Sequence, residues 1–367
     1  MKAIRMNDFQ ADGAELVEAQ LAAVARVLKS GWYVLGKEVE AFESSWAQLC
    51  GVPYAVGVAN GMDAIEVGIR AAGIEPGAEV ITTPMSAFAS VLAVIRAGCV
   101  PVLADIDSST GLLDPDSAAR CVSPRTRAIM PVHLYGHVAD MGRWMELCSS
   151  NDLMLIEDCA QAHGARWEGA VAGSLGTFGA YSFYPTKNLG TPGDGGALVT
   201  RSAPLAESAR ILRNYGQTVR YHHPYLGLNS RLDEVHAAIL GVRLGTLEAW
   251  TARRRAIAER YFSGLDSPAV KPLARPAHAE NHVFHLFVVL CEERDRLARH
   301  LSQAGIESLF HYPLSIHHQE PCREVRTDPA GLGNAERHAA RCISLPCHPH
   351  LADEEVDRVI EAVNAFR

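Results

Sequence analysis

One lysine occupies a position suited to chemistry. Lys187 lies in SFYPTKNLGTPGDGG (182–196), a loop of small residues between two apolar runs. Most lysines face solvent, but a single lysine held between apolar strands is placed to meet a ligand. Its ε-amine can form an imine with an aldehyde and can also carry protons. The segment therefore predicts covalent or acid–base chemistry at Lys187.

A pair of carboxylates ends another apolar run. Glu157 and Asp158 follow LMLI (153–156) at the start of EDCAQAHGA. Ligands of α/β proteins bind at the carboxyl ends of the sheet strands, where these side chains would lie. Taken alone, the pattern fits equally well an aspartate that caps the next element.

Two further segments are suited to binding an anion. ANGMDAI (59–65) places Gly61 between a strand and the start of a helix, where free N–H groups can hold a phosphate. Taken alone, a tight strand–helix turn is the simpler interpretation. The polar loop RYHHPYLGLNSRLDE (220–234) precedes a helical pattern, and it supplies Arg220, Tyr221, Asn229 and Arg231 as candidate binding residues.

Together these features predict pyridoxal phosphate as cofactor. That molecule needs a phosphate site, a lysine for its aldehyde and a carboxylate beside its ring nitrogen. The Gly61 and Met62 amides with Ser182 would hold the phosphate, and Asp158 would keep the ring nitrogen protonated. The ring can then accept electrons when a substrate Cα–H bond breaks, and Lys187 would move that proton.

At this point the chain resembles a known family. The motifs that carry the resemblance are SGWYVLGKEVEAFE (30–43), NGMDAI (60–65), VHLYGHVADM (132–141), EDCAQAHGA (157–165), SFYPTKNLGTPGDGGA (182–197), RNYGQ (213–217), GLNSRLDEVHAAIL (227–240), FHLFVV (284–289) and HYPLSIHHQ (311–319). In this order they are similar to the DegT/DnrJ/EryC1/StrS family of sugar aminotransferases. The resemblance covers nearly the whole chain.

The resemblance implies roles for matching positions. Gln161 would lie beside the phenolic oxygen of the cofactor, and Asn229 would reach the phosphate from the neighbouring subunit. The implied assembly is therefore a homodimer with shared active sites. Positions that meet the sugar nucleotide in relatives are occupied here by Gly31, Tyr33, Arg231, His311 and Tyr312.

Two positions depart from the family pattern. Relatives commonly have threonine where this chain has Met62, so a hydroxyl contact to the phosphate would be lost while the backbone N–H remains. Relatives also place an aromatic ring over the cofactor. An ungapped alignment puts Ala87 at that position, and we expect the next residue, Phe88, to cover the ring instead.

The resemblance also implies the reaction. A lysine at position 187, where some relatives that perform dehydration have histidine, indicates transamination. The expected acceptor is a nucleotide-linked keto sugar and the expected donor is L-glutamate. GLNSRLDE and NGMDAI resemble members that act at sugar carbon 3. A 4-keto sugar or an inosose remains an alternative acceptor, and a non-catalytic regulator is the alternative from another class.

These residues need elements that position them. Short apolar runs alternate with helical patterns up to residue 200, which predicts strand–helix–strand units and a sheet covered on both faces. Together with the resemblance, this indicates the fold type I architecture of pyridoxal-phosphate-dependent transferases. It has a large α/β domain with a mostly parallel central sheet (1–250) and a smaller C-terminal α+β domain (251–367). A single long helix is predicted over 233–261.

Composition excludes several other classes of protein. The chain has 367 residues, a net charge of −8 and 48% hydrophobic residues, which is ordinary globular usage. Its acidity and lack of long basic runs argue against a nucleic-acid partner. No apolar run is long enough to span a membrane, and MKAIRMNDFQ lacks the apolar core of a signal peptide. The nine cysteines are scattered without a CxxC pair, so we expect a cytoplasmic protein without disulfides.

No metal site is expected. The closest approach to one is CISLPCHPH (342–350), where prolines separate the candidate ligands and no second pair is evident. Two pairs of adjacent histidines, 222–223 and 317–318, were the other candidates. Adjacent histidines tend to point in different directions, which favours surface or substrate-loop roles for both pairs.

Overall fold

Alternating strands and helices build the core of the chain, as the sequence predicts. The computed structural model describes residues 3–367. Its strands are β1 (Tyr54–Val58), β2 (Glu79–Thr82), β3 (Val100–Leu103), β4 (Thr126–Ile129), β5 (Met154–Asp158), β6 (Arg166–Trp167), β7 (Ala170–Val171), β8 (Phe178–Ser182), β9 (Gly196–Thr200), β10 (Lys271–Pro272), β11 (Phe287–Leu290) and β12 (Cys342–Leu345).

Twelve α-helices accompany these strands within residues 3–367. They are α1 (Ala14–Ser30), α2 (Lys37–Cys50), α3 (Gly61–Ala71), α4 (Phe88–Arg96), α5 (Pro115–Cys121), α6 (Met141–Ser150), α7 (Ala203–Leu212), α8 (Glu234–Leu244), α9 (Leu247–Gly264), α10 (Arg294–Gln303), α11 (Gly333–Arg341) and α12 (Asp353–Ala365). None of these helices combines the length and the apolar character needed to cross a lipid bilayer.

The central sheet has seven strands in the order β1-β9-β8-β5-β4-β2-β3. Strand β9 runs antiparallel to both of its neighbours, and all other pairs are parallel. The expectation of a mostly parallel sheet covered by helices is therefore confirmed. Asp158 is the last residue of β5 near the middle of this sheet, which places its side chain at the edge where ligands bind in such folds.

One helix packs unusually close to the sheet. Gly68 of α3 faces the ring of Phe178 on β8, and a Cβ added at Gly68 would lie 2.2 Å from that ring. Phe178 is fully buried, so the ring has no space to retreat. The close packing of α3 holds the start of this helix against the sheet edge.

We expect Gly68→Ala to destabilise the protein by about 1–3 kcal/mol, because the added methyl group overpacks this contact. Gly241→Ala is the matched control, since Gly241 is also a helical glycine but has no atom within 4 Å of an added Cβ. It should be neutral or stabilising by up to about 1 kcal/mol. Urea denaturation measures both free energies of unfolding, and equal values for the two variants would contradict the packing argument.

A second core lies in the C-terminal part of the chain. Strands β10, β11 and β12 form a three-stranded antiparallel sheet. Its core holds side chains from α9, α10 and α12 and also Ile4, which pairs with Ile306. The predicted domain boundary at 250/251 falls inside α9. The N-terminal segment around Ile4, which lies within the predicted larger domain (1–250), packs on the core of the smaller one.

One local prediction was wrong, and two elements were not predicted. The single helix expected over 233–261 is two helices, α8 and α9, separated at Gly245 and Thr246. The Thr246 hydroxyl donates to the carbonyl of Arg243 at 2.8 Å, a local bond that competes with helical continuation. Helix α11 and strand β12 were not predicted from the sequence. These elements are short and have no long apolar period, so little signal marked them.

Candidate active site

A cavity at the sheet edge brings together six of the predicted cofactor residues. Gly61, Met62, Asp158, Gln161, Ser182 and Lys187 all line it. The other lining residues are Ile65, Ser86, Ala87, Ala89, Ser90, Val132 and Ala160. The polar groups come from the start of α3, the end of β5, the end of β8 and the loop before β9.

Asp158 is buried and firmly oriented at this cavity. One of its oxygens, Oδ2, accepts a hydrogen bond from the Ser90 hydroxyl at 2.7 Å, and Oδ1 accepts from the backbone N–H of Ala160 at 3.1 Å. Ser90 is in turn 2.9 Å from the hydroxyl of Ser86. These two hydrogen bonds fix the orientation of the Asp158 carboxylate at the cavity.

Glu157, the other carboxylate of the pair, points to the opposite side of β5. It accepts backbone N–H bonds from Gly173, Leu175 and Gly176 at 2.7–2.8 Å. His133 lies 3.0 Å away, and both side chains are fully buried. Glu157 therefore anchors the loop before β8 and fixes the end of β5, so its role is structural.

The start of α3 forms the anion site that the sequence indicated. The Asn60 side chain accepts from the N–H of Asp63 at 2.8 Å, while the N–H groups of Gly61 and Met62 have no preceding helical turn to bond to. A Cβ at Gly61 would lie 2.7 Å from the Cβ of Ser182. Only glycine therefore allows the helix start and the Ser182 hydroxyl to share one site.

Lys187 lies on the loop between β8 and β9 and lines the cavity. Its backbone N–H donates to the carbonyl of Tyr184 at 2.9 Å, which makes a tight turn at the lysine. Burial lowers the pKa of Lys187 to about 8, and the attraction of Asp158 opposes that shift. About one tenth of this amine is therefore neutral at pH 7, and a nucleophile or base must be in that form.

We expect the amine of Lys187 in the cofactor-free protein to react with an acylating reagent along a pH curve centred near 8. A lysine in a short reference peptide, which lacks the desolvation, should follow a curve near the ordinary value of about 10.4. Competitive labelling across a pH series, read by peptide mass spectrometry, gives both curves. A Lys187 midpoint above 10 would contradict the burial argument.

Gln161 links the cavity to the smaller domain. Its Oε1 accepts from the backbone N–H of Tyr135 at 2.6 Å, and its Nε2 donates to the Tyr312 hydroxyl at 3.2 Å. Burial raises the pKa of Tyr312 to about 12, so this phenol keeps its proton. Tyr135 also donates to the carbonyl of His311. The structure thus places Tyr312 in direct contact with Gln161 and His311 beside it.

Three residues that support the site were missed from the sequence. The His163 ring lies 2.8 Å from the carbonyl of Ser182. Asn188, next to Lys187, donates to the carbonyl of Val283 and lies 3.2 Å from the ring of His285. These contacts fix Ser182 and the lysine loop. His163 and Asn188 are close to predicted site residues in the sequence, which could have indicated them, but His285 is not.

The expected position of Phe88 was wrong. Ala87, not Phe88, lines the cavity, because Phe88 begins α4 and its ring packs against a separate cluster that contains Val91 and Ile316. Packing on that cluster directs the Phe88 ring away from the cavity. No other aromatic side chain replaces it among the lining residues in the described part of the chain.

The remaining predicted residues lie outside the cavity of this single chain. Asn229, Gly31, Tyr33, Arg220 and Tyr221 are exposed, and Arg231 is half-buried. Arg231 donates to the Asn214 side chain at 3.1 Å and lies over the ring of Tyr215. The structure therefore brings the cofactor set together, with Asn229 and most of the proposed nucleotide contacts on the surface.

The residues at the cavity fit pyridoxal phosphate. The start of α3 and Ser182 offer N–H and O–H donors to a phosphate, and only a glycine fits at the point of closest approach. Lys187 supplies an amine whose lowered pKa suits reaction with an aldehyde. Asp158 supplies an oriented carboxylate at the same cavity.

Comparison with known proteins agrees with this geometry. The DegT/DnrJ/EryC1/StrS aminotransferase family profile matches residues 14–364. A dTDP-3-amino-3,4,6-trideoxy-alpha-D-glucose transaminase from Streptomyces venezuelae is 46% identical over 360 residues, which cover 98% of this chain and 95% of that one. The erythromycin biosynthesis sensory transduction protein EryC1 of Saccharopolyspora erythraea is 43% identical over 364 residues, 98% of each chain.

Solved structures give the same result for the fold. The crystal structure of S. venezuelae DesV in complex with a ketimine intermediate superposes with a TM-score of 0.96 at 44% identity, and covers 100% of this chain and 99% of that one. The architecture is therefore that of pyridoxal-phosphate-dependent aminotransferases, as expected. The chain belongs to the DegT/DnrJ/EryC1/StrS aminotransferase family, and its cofactor is pyridoxal phosphate.

Proposed function

We propose that this protein transfers an amino group from L-glutamate to carbon 3 of a nucleotide-linked keto sugar, in amino-sugar biosynthesis. The observation that carries the proposal is the single cavity shared by Lys187, Asp158 and the start of α3. The S. venezuelae relative is named as a transaminase of a dTDP-3-amino sugar, which supports carbon 3. The GLNSRLDE and NGMDAI segments point to the same position.

Each cofactor residue would bind a different part of pyridoxal phosphate. Gly61, Met62 and Ser182 would hold the phosphate, and Asp158 would pair with the ring nitrogen. Gln161 would donate its Nε2 to the phenolic oxygen, since its Oε1 is already occupied by a backbone N–H. When bound, pyridoxal phosphate supplies an aldehyde that takes up the amino group and a ring that accepts electrons.

Lys187 is the group that moves protons. In its neutral form the Nζ would take the proton from the α-carbon of glutamate. After the keto sugar has replaced the donor, the protonated Nζ would give a proton to the sugar carbon that receives the nitrogen. Burial suppresses the charge of its neighbours as well, because it lowers the pKa of His163 to about 3 and that of His311 to about 4. The neutral rings do not compete with Lys187 for protons.

Local groups must attract the substrates, because both are anions and the chain has a net charge of −8. We infer that Arg220 and Arg231 meet the diphosphate, with Gly31 and Tyr33 beside it. His311 and Tyr312 would meet the sugar ring, since Tyr312 already contacts Gln161 at the cavity. Tyr221, which lies against Arg220, would line the same entrance.

A homodimer with shared active sites is part of the proposal. Large apolar side chains are exposed near the lysine loop and the polar loop, namely Leu21, Leu28, Trp32, Tyr184, Tyr225 and Leu226. Leu226 exposes 88% of its surface, which a second subunit would cover. Asn229 lies in the same exposed loop, so in a dimer it could reach the partner's phosphate site.

We expect complementation between two inactive variants. Lys187→Ala removes the amine, and Asn229→Asp places a negative charge beside the phosphate of the other subunit. In a mixed dimer, one site would combine an intact Lys187 with an intact Asn229 of the other subunit. About half of the dimers in an equimolar mixture are mixed and each has one intact site of two, so about one quarter of wild-type activity should be recovered. Refolding the variants together and assaying the mixture tests this. No recovery from a mixture that forms dimers would contradict shared sites.

A substrate panel tests the proposed reaction. The holoenzyme is incubated with glutamate and with 3-keto and 4-keto nucleotide sugars and an inosose, and the amino product is identified by mass and regiochemistry. Amination at carbon 3 is expected. Amination of only a 4-keto sugar or an inosose would identify the alternative acceptor. A regulator, as the name of EryC1 indicates for that relative, would show no transfer with any of them.

We also propose that the reaction takes place in the cytoplasm. All nine cysteines are free and buried, which agrees with a reducing compartment. Fractionation of cells that produce the protein would test the location.

A further inference from the structure

We propose that His317, His318 and Glu336 form a binding site for a divalent transition-metal ion of the zinc type. The three residues lie outside the cofactor cavity and take no part in the proposed transamination. Their nitrogen and oxygen ligand atoms all lie within 4.8 Å of one another. Two imidazoles and one carboxylate are a common ligand set for zinc in proteins.

The two histidines do not diverge as adjacent histidines usually do. They lie on the 3-10 turn Ile316–His318, with ring centroids only 4.0 Å apart. The Nε2 of His317 is 3.2 Å from Oε1 of Glu336, and the Nε2 of His318 is 3.6 Å from the same oxygen. The expectation that this pair would point in different directions is therefore wrong, and with it the main argument against a metal.

These distances match the geometry of a tetrahedral ion. Ligand bonds of about 2.0–2.1 Å that meet at tetrahedral angles put the ligand atoms roughly 3.3 Å apart. Both histidine–glutamate distances lie close to that value. The distance between the two Nε2 atoms can close by side-chain rotation, because His318 and Glu336 each expose 51% of their side chains. Three protein ligands leave a fourth position for water.

The two segments that carry the ligands are already held together. The Ser315 hydroxyl donates to the carbonyl of Ala335 at 3.2 Å, which ties the turn to the first residues of α11. The N–H of Ile316 donates to the carbonyl of Pro84 at 2.8 Å and fixes the turn on the larger domain. An ion would therefore not need to order these segments, which reduces the cost of binding.

The charges around the cluster also favour a cation. Glu336 itself brings a carboxylate to the two imidazoles. Asp105 accepts N–H bonds from Asn334 and Ala335 at the start of α11 and adds a nearby negative charge.

Zinc titration of the holoenzyme in competition with a chromogenic chelator tests the site. We expect one equivalent to bind to the wild-type protein, with affinity at least about 10-fold weaker in Glu336→Gln and His318→Leu. His222→Leu is the matched control. His222 belongs to the other pair of adjacent histidines, and within residues 3–367 that pair is part of no cluster of three possible metal ligands. That variant should bind zinc like the wild type.

Cobalt gives an independent readout of the geometry. A Co²⁺ ion held by His317, His318, Glu336 and water should show the intense visible absorption of a tetrahedral complex, and Glu336→Gln should lose it. Equal zinc affinity in all four proteins, or cobalt absorption unchanged by Glu336→Gln, would overturn the proposal. Because none of these variants alters the cofactor cavity, the result is independent of the transamination itself.

Discussion

Lys187→Ala should abolish amino-group transfer, with the rate of the half-reaction with glutamate reduced by about 10⁴-fold or more. The variant lacks both the amine that receives the cofactor aldehyde and the base that moves the proton, and the cavity holds no other lysine. Stopped-flow absorbance of the holoenzyme mixed with glutamate measures the rate. Lys271→Ala is the matched control, because Lys271 is exposed on β10, and it should keep wild-type activity.

A second measurement separates the chemistry of Lys187 from the binding of the cofactor. Borohydride reduction should fix the cofactor covalently to Lys187 in the wild-type protein, and peptide mass spectrometry locates the attachment. The Lys187→Ala protein should bind the cofactor through its phosphate site but retain none after reduction and denaturation. Attachment at another lysine, or near-normal transfer by the variant, would show that the catalytic residue was misidentified.

Asp158→Asn should reduce kcat by on the order of 10²–10³-fold with a much smaller change in KM. The amide is nearly the same size but carries no charge, so it would no longer hold a proton on the ring nitrogen, and the ring would accept electrons poorly. Asp158 also raises the pKa of Lys187 against the effect of burial. Its removal should therefore move the labelling midpoint of Lys187 below 8, a change that does not depend on activity.

Two controls place this effect at the carboxylate. Ser90→Ala removes the hydroxyl that orients Oδ2 but keeps the charge, so its loss of kcat should be much smaller. Asp266→Asn changes an exposed aspartate of the smaller domain and should have no effect. If Asp158→Asn kept full activity and an unchanged Lys187 midpoint, the carboxylate would not act on the ring or the lysine.

The cofactor residues could be predicted because each is next to a local signal. Lys187 and Asp158 lie at the ends of apolar runs, and Gly61 lies where a strand meets a helix. The direction of the Phe88 ring could not be predicted, since it depends on a cluster formed with Ile316, more than 200 residues away in the chain. The convergence of His317 and His318 on Glu336 likewise depends on the packing of α11.

In the fold, too, features with a local sequence signal could be predicted and features that depend on distant contacts could not. Buried strands of the central sheet such as β2 and β9 are easy to recognise, because continuous apolar runs between turn residues mark them clearly. The helix breaks between α8 and α9, where the Thr246 hydroxyl bonds to a backbone carbonyl and competes with continuation of the helix. The hydrophobic periodicity of the sequence gives no sign of this break. Strand β12 has four residues and forms only because β11 offers it an edge.

The pairing of Ile4 with Ile306 has a consequence for synthesis on the ribosome. All strands of the central sheet lie before residue 201, so that sheet can assemble while later residues are still being added. The second core joins Ile4 to side chains as late as Phe366. Ile4 therefore has no partners in this core until most of the chain has been translated. A nascent chain stalled near residue 300 should expose the N-terminal segment to a protease that the completed protein resists.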